Sequence, residues 1–241
     1  MRHVLAAIGS MAGSTLGLIL MAGLGAAVPA AAQDLPPGFV DATDAVPGLQ
    51  VDLRYAGPNN FVGTAIDGYE RPRCILTRQA AEALAEVQIE LASSGAGLKV
   101  FDCYRPTRAV AHFTRWARDA KDVRTKGQYY PDLDKASLFR EGYIASRSAH
   151  SRGSTVDLTL VDILPGPDGK LPEREMGTPF DYFSPLSWPS NQRVDEIAHR
   201  NRQILADAMK KHGFIPYSKE WWHFTLAREP FPDTYFDFPV K

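Results

Sequence analysis

The sequence lacks several features that would place it in a narrow class of proteins. It has only 2 cysteines among 241 residues, which excludes a small fold held together by many disulfides. Its formal net charge is -1 and its basic residues form no stripe, so we expect no nucleic-acid partner. No long apolar run follows the N-terminal segment. The remaining composition, 44% hydrophobic and 23% charged, is that of an ordinary globular domain.

The N-terminal segment has the pattern of a secretory signal peptide. A basic start at Arg2 precedes an apolar run rich in Ala and Gly, which ends in the small residues around Ala32. We therefore predict a signal peptide over residues 1–32, one domain over residues 33–241, and an exported protein that is periplasmic or secreted. The alternative is an uncleaved membrane anchor. After removal of the signal we expect no stable membrane insertion.

The two cysteines, Cys74 and Cys103, leave two interpretations open. An exported protein meets an oxidising compartment, in which the pair could form a disulfide. Alternatively, both are small apolar residues of the core.

Hydrophobic periodicity predicts a mixed fold. Alternation of apolar and polar residues indicates strands, and capping residues followed by a helical apolar stripe indicate helices. We predict an α+β fold with a central antiparallel sheet and flanking helices. The predicted strands are 49–55, 98–102, 155–160 and 220–226, and the predicted helices are 77–94, one beginning near Pro106, and 190–211.

Two short segments contain the residue types of a catalytic zinc site. The first contains His150 and Asp157, separated by the flexible Gly153, and the second contains Glu220 and His223. Zinc in hydrolases takes three protein ligands and leaves a position open for water. We predict that His150, Asp157 and His223 bind one Zn²⁺ and that Glu220 is the general base.

Two of the predicted roles depend on local geometry. Glu220 and His223 would face opposite sides of a regular strand, so the pairing requires a bend at Glu220. Otherwise Glu220 is an exposed acid at the edge of a strand. Arg105, between a predicted strand and a helix, could stabilise an oxyanion, although an arginine at such a place is more often a surface ion-pair partner.

In its motifs the chain resembles the D-alanyl-D-alanine dipeptidases, which are zinc enzymes with a hedgehog-like fold. The similarity runs from about Val51 to Lys241. It rests on the motifs Asp67-Gly-Tyr69-Glu70, Tyr104-Arg105-Pro106, Ser148-x-His150-Ser-Arg-Gly153-Ser-x-x-Asp157, Met176-Gly177, Phe180-Asp181, Glu220-Trp-Trp-His223 and Tyr235-Phe-Asp-Phe-Pro-Val-Lys241.

The resemblance implies a small D,D-dipeptide as substrate and specific residue roles. It implies the same zinc ligands and base, with Arg105 polarising the scissile carbonyl. Tyr55, Tyr69, Ser148 and Asp181 would contact the substrate, and Asp181 would pair with its free amine. The oligomeric state stays unknown.

Two other functions stay open. One is a D,D- or L,D-carboxypeptidase that trims peptidoglycan stem peptides. The other is a zinc-binding module without turnover, which the presence of Glu220 argues against.

Overall fold

The computed structural model describes residues 35–241, so the predicted signal peptide at 1–32 lies outside the described residues. Within them the chain forms seven β-strands, six α-helices and three short 3-10 helices. The α-helices and strands, in chain order, are β1 (Phe39–Asp41), α1 (Ala42–Ala45), β2 (Gln50–Val51), β3 (Ile75–Thr77), α2 (Arg78–Ala92), β4 (Ala96–Asp102), α3 (Thr107–Arg118), α4 (Lys126–Tyr129), α5 (Lys135–Arg140), β5 (Thr155–Asp162), α6 (Glu196–Lys211), β6 (Phe214–Pro216) and β7 (His223–Leu226). The 3-10 helices are Arg54–Ala56, Ala149–Arg152 and Pro185–Ser187.

The main sheet has five strands in the order β2-β4-β5-β7-β6. The pairs β4–β5, β5–β7 and β6–β7 are antiparallel, which confirms the predicted α+β class with a central antiparallel sheet. The edge strand β2 runs parallel to β4 and was not predicted to do so. In this register Asp157 of β5 lies between Asp102 of β4 and His223 of β7. Three polar side chains therefore meet on one rung of the sheet.

The long helices α2 and α6 pack against the sheet and against each other. Helix α2 begins where predicted, because the Thr77 hydroxyl accepts a hydrogen bond from the Ala80 amide. Its apolar stripe, which includes Leu84 and Val87, is buried. Burying each such side chain contributes about 1.5–3 kcal/mol, so this face holds the helix on the sheet.

Three predicted elements differ most from the structure. Only Gln50–Val51 of the predicted strand 49–55 pairs with a neighbour, and the chain then turns into a 3-10 helix. The predicted helix 190–211 begins only at Glu196, because the Asp195 carboxylate caps the Ala198 amide. Within this helix Ile197 is exposed rather than buried. Strand β7 begins at His223, so Glu220 lies in the preceding turn.

Two short helices, α4 and α5, lie between the predicted helix near Pro106 and the predicted strand 155–160, where no element was predicted. Among the described helices, none combines the length and the hydropathy that a membrane span needs.

Cys74 and Cys103 form a disulfide, which settles the question that the sequence left open. The bridge joins the residue before β3 to the residue after β4, and both cysteines are buried. It closes a loop of 29 residues next to the rung that carries Asp102 and Asp157.

The C-terminal segment packs back onto the domain rather than trailing from it. Val240 is buried, its amide donates to the Gly68 carbonyl, and its own carbonyl accepts from the Glu70 amide. Phe236 and Phe238 of the same segment pack edge-on against the ring of Phe39. This segment thus fixes the backbone on both sides of Tyr69.

Candidate metal centre and active site

Three potential ligand atoms converge on one point at the centre of the sheet. The Nε2 atom of His150 lies 3.3 Å from Nδ1 of His223 and 3.3 Å from Oδ1 of Asp157. The Nδ1 atom of His223 lies 3.0 Å from the same Asp157 oxygen. His150 and Asp157 are buried, whereas His223 is partly open to solvent. The predicted ligand set is therefore brought together as a triangle with one accessible side.

Local structure explains how His150 reaches this point. The Ser148 hydroxyl accepts from the His150 amide and so begins the 3-10 helix Ala149–Arg152. Gly153 ends it in a left-handed conformation with φ of 82°, which a residue with a Cβ rarely adopts. The chain then enters β5, which places Asp157 opposite His223.

The orientation of the His150 ring is fixed from behind. Its Nδ1 atom lies 2.7 Å from the carbonyl oxygen of Cys103 and 3.4 Å from Oδ2 of Asp102. With the Nδ1 proton donated to that carbonyl, the Nε2 lone pair points at the triangle. Metal-binding histidines are commonly oriented by such a hydrogen bond.

The triangle fits a zinc ion. Tetrahedral zinc with bonds of about 2.0–2.1 Å holds its ligand atoms about 3.3 Å apart, which matches the observed separations. Oδ1 of Asp157 is buried without a hydrogen-bond partner among the described residues. Buried carboxylate oxygens are seldom left without a partner, and a bound cation would provide one. Burial would raise the pKa of Asp157, but His150 and His223 hold that pKa well below its usual range.

Glu220 lies in the turn that the sequence argument required. Its Oε2 atom is 3.6 Å from Nδ1 of His223. Glu220 also lines a cavity that lies beside the triangle. Burial, and next the nearby charge of Asp157, raise the pKa of Glu220 to about 8 against a weaker opposing effect of Arg105. A bound cation beside Glu220 would lower this pKa and so favour the carboxylate form that a general base requires.

Arg105 is held by a buried aspartate that the sequence analysis did not single out. Its Nε donates to Oδ2 of Asp102 at 2.8 Å, and its Nη2 lies 3.4 Å from Oδ2 of Asp157. The other oxygen of Asp102 accepts from the Tyr69 hydroxyl at 2.6 Å. The clue was an acid at the end of a mostly apolar strand, three residues before Arg105. Tyr69 thus lies behind Arg105, and its direct contact with a substrate stays a prediction.

The remaining predicted substrate contacts line a cavity of about 420 Å³ beside the triangle. The Tyr55 hydroxyl donates to both oxygens of Asp181, at 3.2 and 3.1 Å. Asp181 is buried and has a φ of 62°, a conformation that is strained for a non-glycine residue. Ser148 also lines the cavity, with its hydroxyl 3.5 Å from Nη1 of Arg105.

The cavity concentrates carboxyl groups. Asp157, Asp181 and Glu220 all line it. Burial raises the pKa of Asp181 well above its ordinary value, and the charges of Asp157 and Glu220 raise it further. Carboxylates crowded in this way favour cationic ligands, such as a divalent metal and an ammonium group.

Two imidazoles and a carboxylate around one point, with a second buried carboxylate beside them, are the groups of a metal-dependent hydrolase. Comparison with known proteins gives the family. The family model for D-Ala-D-Ala dipeptidases, Peptidase M15, matches residues 36–241. The chain belongs to this peptidase family, and the resemblance inferred from its motifs is confirmed.

Curated relatives are similar over nearly their whole length. A D-alanyl-D-alanine dipeptidase of Enterococcus faecalis is 43% identical over 85% of this chain and 98% of its own. One from Streptomyces coelicolor is 43% identical over 84% of this chain and 96% of its own. A solved structure of the vancomycin-resistance D,D-pentapeptidase VanY in complex with Zn(II) has a TM-score of 0.38 and 12% identity, covering 74% of this chain and 83% of that one.

Proposed function

We propose that this protein is a zinc-dependent dipeptidase that hydrolyses D-alanyl-D-alanine. The observation that carries the proposal is the triangle of His150, Asp157 and His223, whose spacing suits zinc, beside a buried Glu220. The relatives named above support the choice of substrate.

The chain's own residues suit each part of the reaction. When bound, zinc supplies Lewis-acid polarisation of a carbonyl group and lowers the pKa of water to about 7. Glu220 takes the proton of the attacking water and transfers it to the leaving amine. Arg105, which Asp102 and Tyr69 hold in place, faces the negative charge that develops on the carbonyl oxygen.

The buried end of the cavity suits a free amine. Asp181 and Tyr55 form a hydrogen-bonded pair there, and Ser148 contributes a hydroxyl to the lining. A substrate ammonium would neutralise the Asp181 carboxylate. An amide in the same place would leave that buried charge unpaired, so peptides without a free amine next to the scissile bond bind poorly.

The substrate test compares D-Ala-D-Ala, L-Ala-L-Ala and a pentapeptide ending in D-Ala-D-Ala, each with and without a chelator. We expect chelator-sensitive release of alanine from the D,D-dipeptide alone. Cleavage of the pentapeptide would show a carboxypeptidase instead. Zinc binding without cleavage of any of the three would show a non-catalytic zinc-binding module.

The residue roles are tested by paired variants. Glu220→Ala should retain zinc and lose turnover by about 100- to 10,000-fold, whereas activity within tenfold of wild type would remove Glu220 as the base. His223→Ala should lose zinc and activity together. His199→Ala, which changes a histidine of α6, is the control and should retain both. An active, zinc-replete His223→Ala protein would contradict the ligand assignment.

We propose also that the protein is exported and acts on dipeptide released from the cell wall. The N-terminal pattern over residues 1–32 and the Cys74–Cys103 disulfide, a bond typical of oxidising compartments, support this location. Cell fractionation with N-terminal sequencing tests it. A native protein found in the cytoplasm with residue 1 or 2 at its N-terminus would contradict it.

A further inference from the structure

The cavity contains one cationic side chain to which no role has yet been given. Two guanidinium groups line it, those of Arg105 and Arg147. Arg105 is already paired with the buried Asp102 and with Asp157. Arg147 donates no hydrogen bond and forms no ion pair with any residue in the described range 35–241, and it is exposed at the cavity.

Although it lacks an anionic partner, Arg147 is positioned by an aromatic ring. Its guanidinium lies 3.9 Å from the ring centre of Tyr235, a close cation–π contact. Tyr235 is held in turn, because its hydroxyl accepts from Nη1 of Arg152 at 3.1 Å and the next amide, of Phe236, donates to the Ser151 carbonyl. The guanidinium is therefore placed at the cavity by a fixed platform and keeps its hydrogen-bond donors available.

The charges of the cavity match those of a dipeptide only if Arg147 is included. A dipeptide at neutral pH carries an ammonium group and a carboxylate about 7 Å apart along an extended chain. Asp181 is buried and suits the ammonium, as argued above. Because Arg105 is neutralised by aspartates, Arg147 is the cavity's one guanidinium, among the described residues, that is available for the carboxylate.

We infer that Arg147 binds the terminal carboxylate of the substrate and determines specificity for dipeptides with a free acid. This inference rests on the proposed function and refines it. Guanidinium pairs with carboxylate through two parallel hydrogen bonds, which lysine cannot reproduce. With Asp181 at the buried end and Arg147 at the exposed end, the dipeptide enters amine first and its carboxylate stays near the mouth.

The test compares D-Ala-D-Ala with its C-terminal amide, which lacks the negative charge, on wild type, Arg147→Gln and Arg147→Lys. For the acid, Arg147→Gln should raise KM by about 10- to 100-fold with kcat changed less than threefold, because a charge-assisted hydrogen bond is lost. For the C-terminal amide, the KM of Arg147→Gln should differ from that of wild type by less than twofold. For the acid, the KM of Arg147→Lys should lie between those of wild type and Arg147→Gln. Arg193→Gln, an exposed arginine outside the cavity, is the matched control and should behave as wild type.

Calorimetric binding of both ligands separates this inference from the proposed function. A wild-type protein that binds the dipeptide without cleaving it would contradict the dipeptidase activity, and the ratio of Kd for acid and amide would still report on Arg147. Equal losses for acid and amide in Arg147→Gln, or no loss for either, would overturn the carboxylate role. Binding of neither ligand to wild type would overturn both proposals.

Discussion

Replacing Gly153 by alanine should destabilise the protein for two reasons that can be measured separately. The first is conformational, since its φ is 82° and a left-handed residue with a Cβ costs about 1–2 kcal/mol. The second is steric, because the new Cβ would lie 2.2 Å from Cε1 and 2.8 Å from Cζ of Phe39.

The Phe39 ring has little freedom to move away. It stacks on Phe231 and meets Phe236 and Phe238 edge-on, with ring centres 5.0 to 5.8 Å away. Overpacking in such surroundings typically costs about 1–3 kcal/mol. Together with the conformational cost we expect a loss of about 2–5 kcal/mol in the free energy of unfolding, which lowers Tm by roughly 5–15 °C.

Urea unfolding of four variants, Gly153→Ala, Gly169→Ala, Phe39→Leu and the double variant Gly153→Ala/Phe39→Leu, isolates the two contributions. Gly169→Ala is the matched control, because Gly169 has a φ of 75° and no atom within 4 Å of the added Cβ. It should lose only the conformational part, about 1–2 kcal/mol. Gly153→Ala should lose clearly more. Combined with Phe39→Leu, the Gly153→Ala change should cost less than it does alone.

Equal losses in Gly153→Ala and Gly169→Ala would refute the steric part of the reasoning. Zinc content gives a further readout, because Gly153 ends the 3-10 helix that carries His150. A rearranged helix should weaken metal binding in Gly153→Ala and leave it unchanged in Gly169→Ala.

Three further predictions concern other parts of the structure. Asp102→Asn should retain zinc but lower kcat/KM by about 10- to 100-fold, because Arg105 loses its buried ionic partner. Unchanged kinetics would contradict the role of Asp102 in positioning Arg105. Replacing Cys74 and Cys103 together by alanine should lower the free energy of unfolding by about 3–4 kcal/mol, because the disulfide closes a 29-residue loop. A reductant should change the urea midpoint of the wild-type protein but not that of the double variant. Hydrogen bonds from Lys211 and His212 lower the pKa of Glu90. The stabilising contribution of the Glu90 carboxylate is therefore present above about pH 4.5, and it is lost as the pH falls through the lowered pKa. Glu90→Gln should therefore lower the urea midpoint more at pH 7 than at pH 3, whereas Glu86→Gln, from the same helix, should lower it at neither pH.

The sequence was sufficient where local chemistry determines structure. Thr77 caps α2 because its hydroxyl accepts a hydrogen bond from the Ala80 amide, only three residues further along the chain. The alternation across residues 155–160 correctly indicated β5, since strand side chains alternate whatever the strand's neighbours are. The residues of the metal triangle were predicted from their types and spacing, and the structure brings them together.

The remaining features depend on contacts between residues distant in sequence. The parallel pairing of β2 with β4 follows from tertiary packing. The alternation of apolar and polar residues over seven positions cannot indicate which strand is the neighbour or in which direction it runs. Helix α6 begins at Glu196 rather than at residue 190, because the Asp195 carboxylate caps it. Asp102 was overlooked because its importance lies in contacts with Tyr69 and His150, 33 and 48 positions away.

The return of the C-terminal segment has a consequence for how the protein is made. Val240 bonds to the backbone on both sides of Tyr69, and the Tyr69 hydroxyl bonds to Asp102, which holds Arg105. All strands of the sheet and both cysteines precede Val240 in the chain, so they can assemble without it, but the connection to Tyr69 cannot. Catalytic competence should therefore appear only after Val240 has been synthesised and has folded back onto the domain.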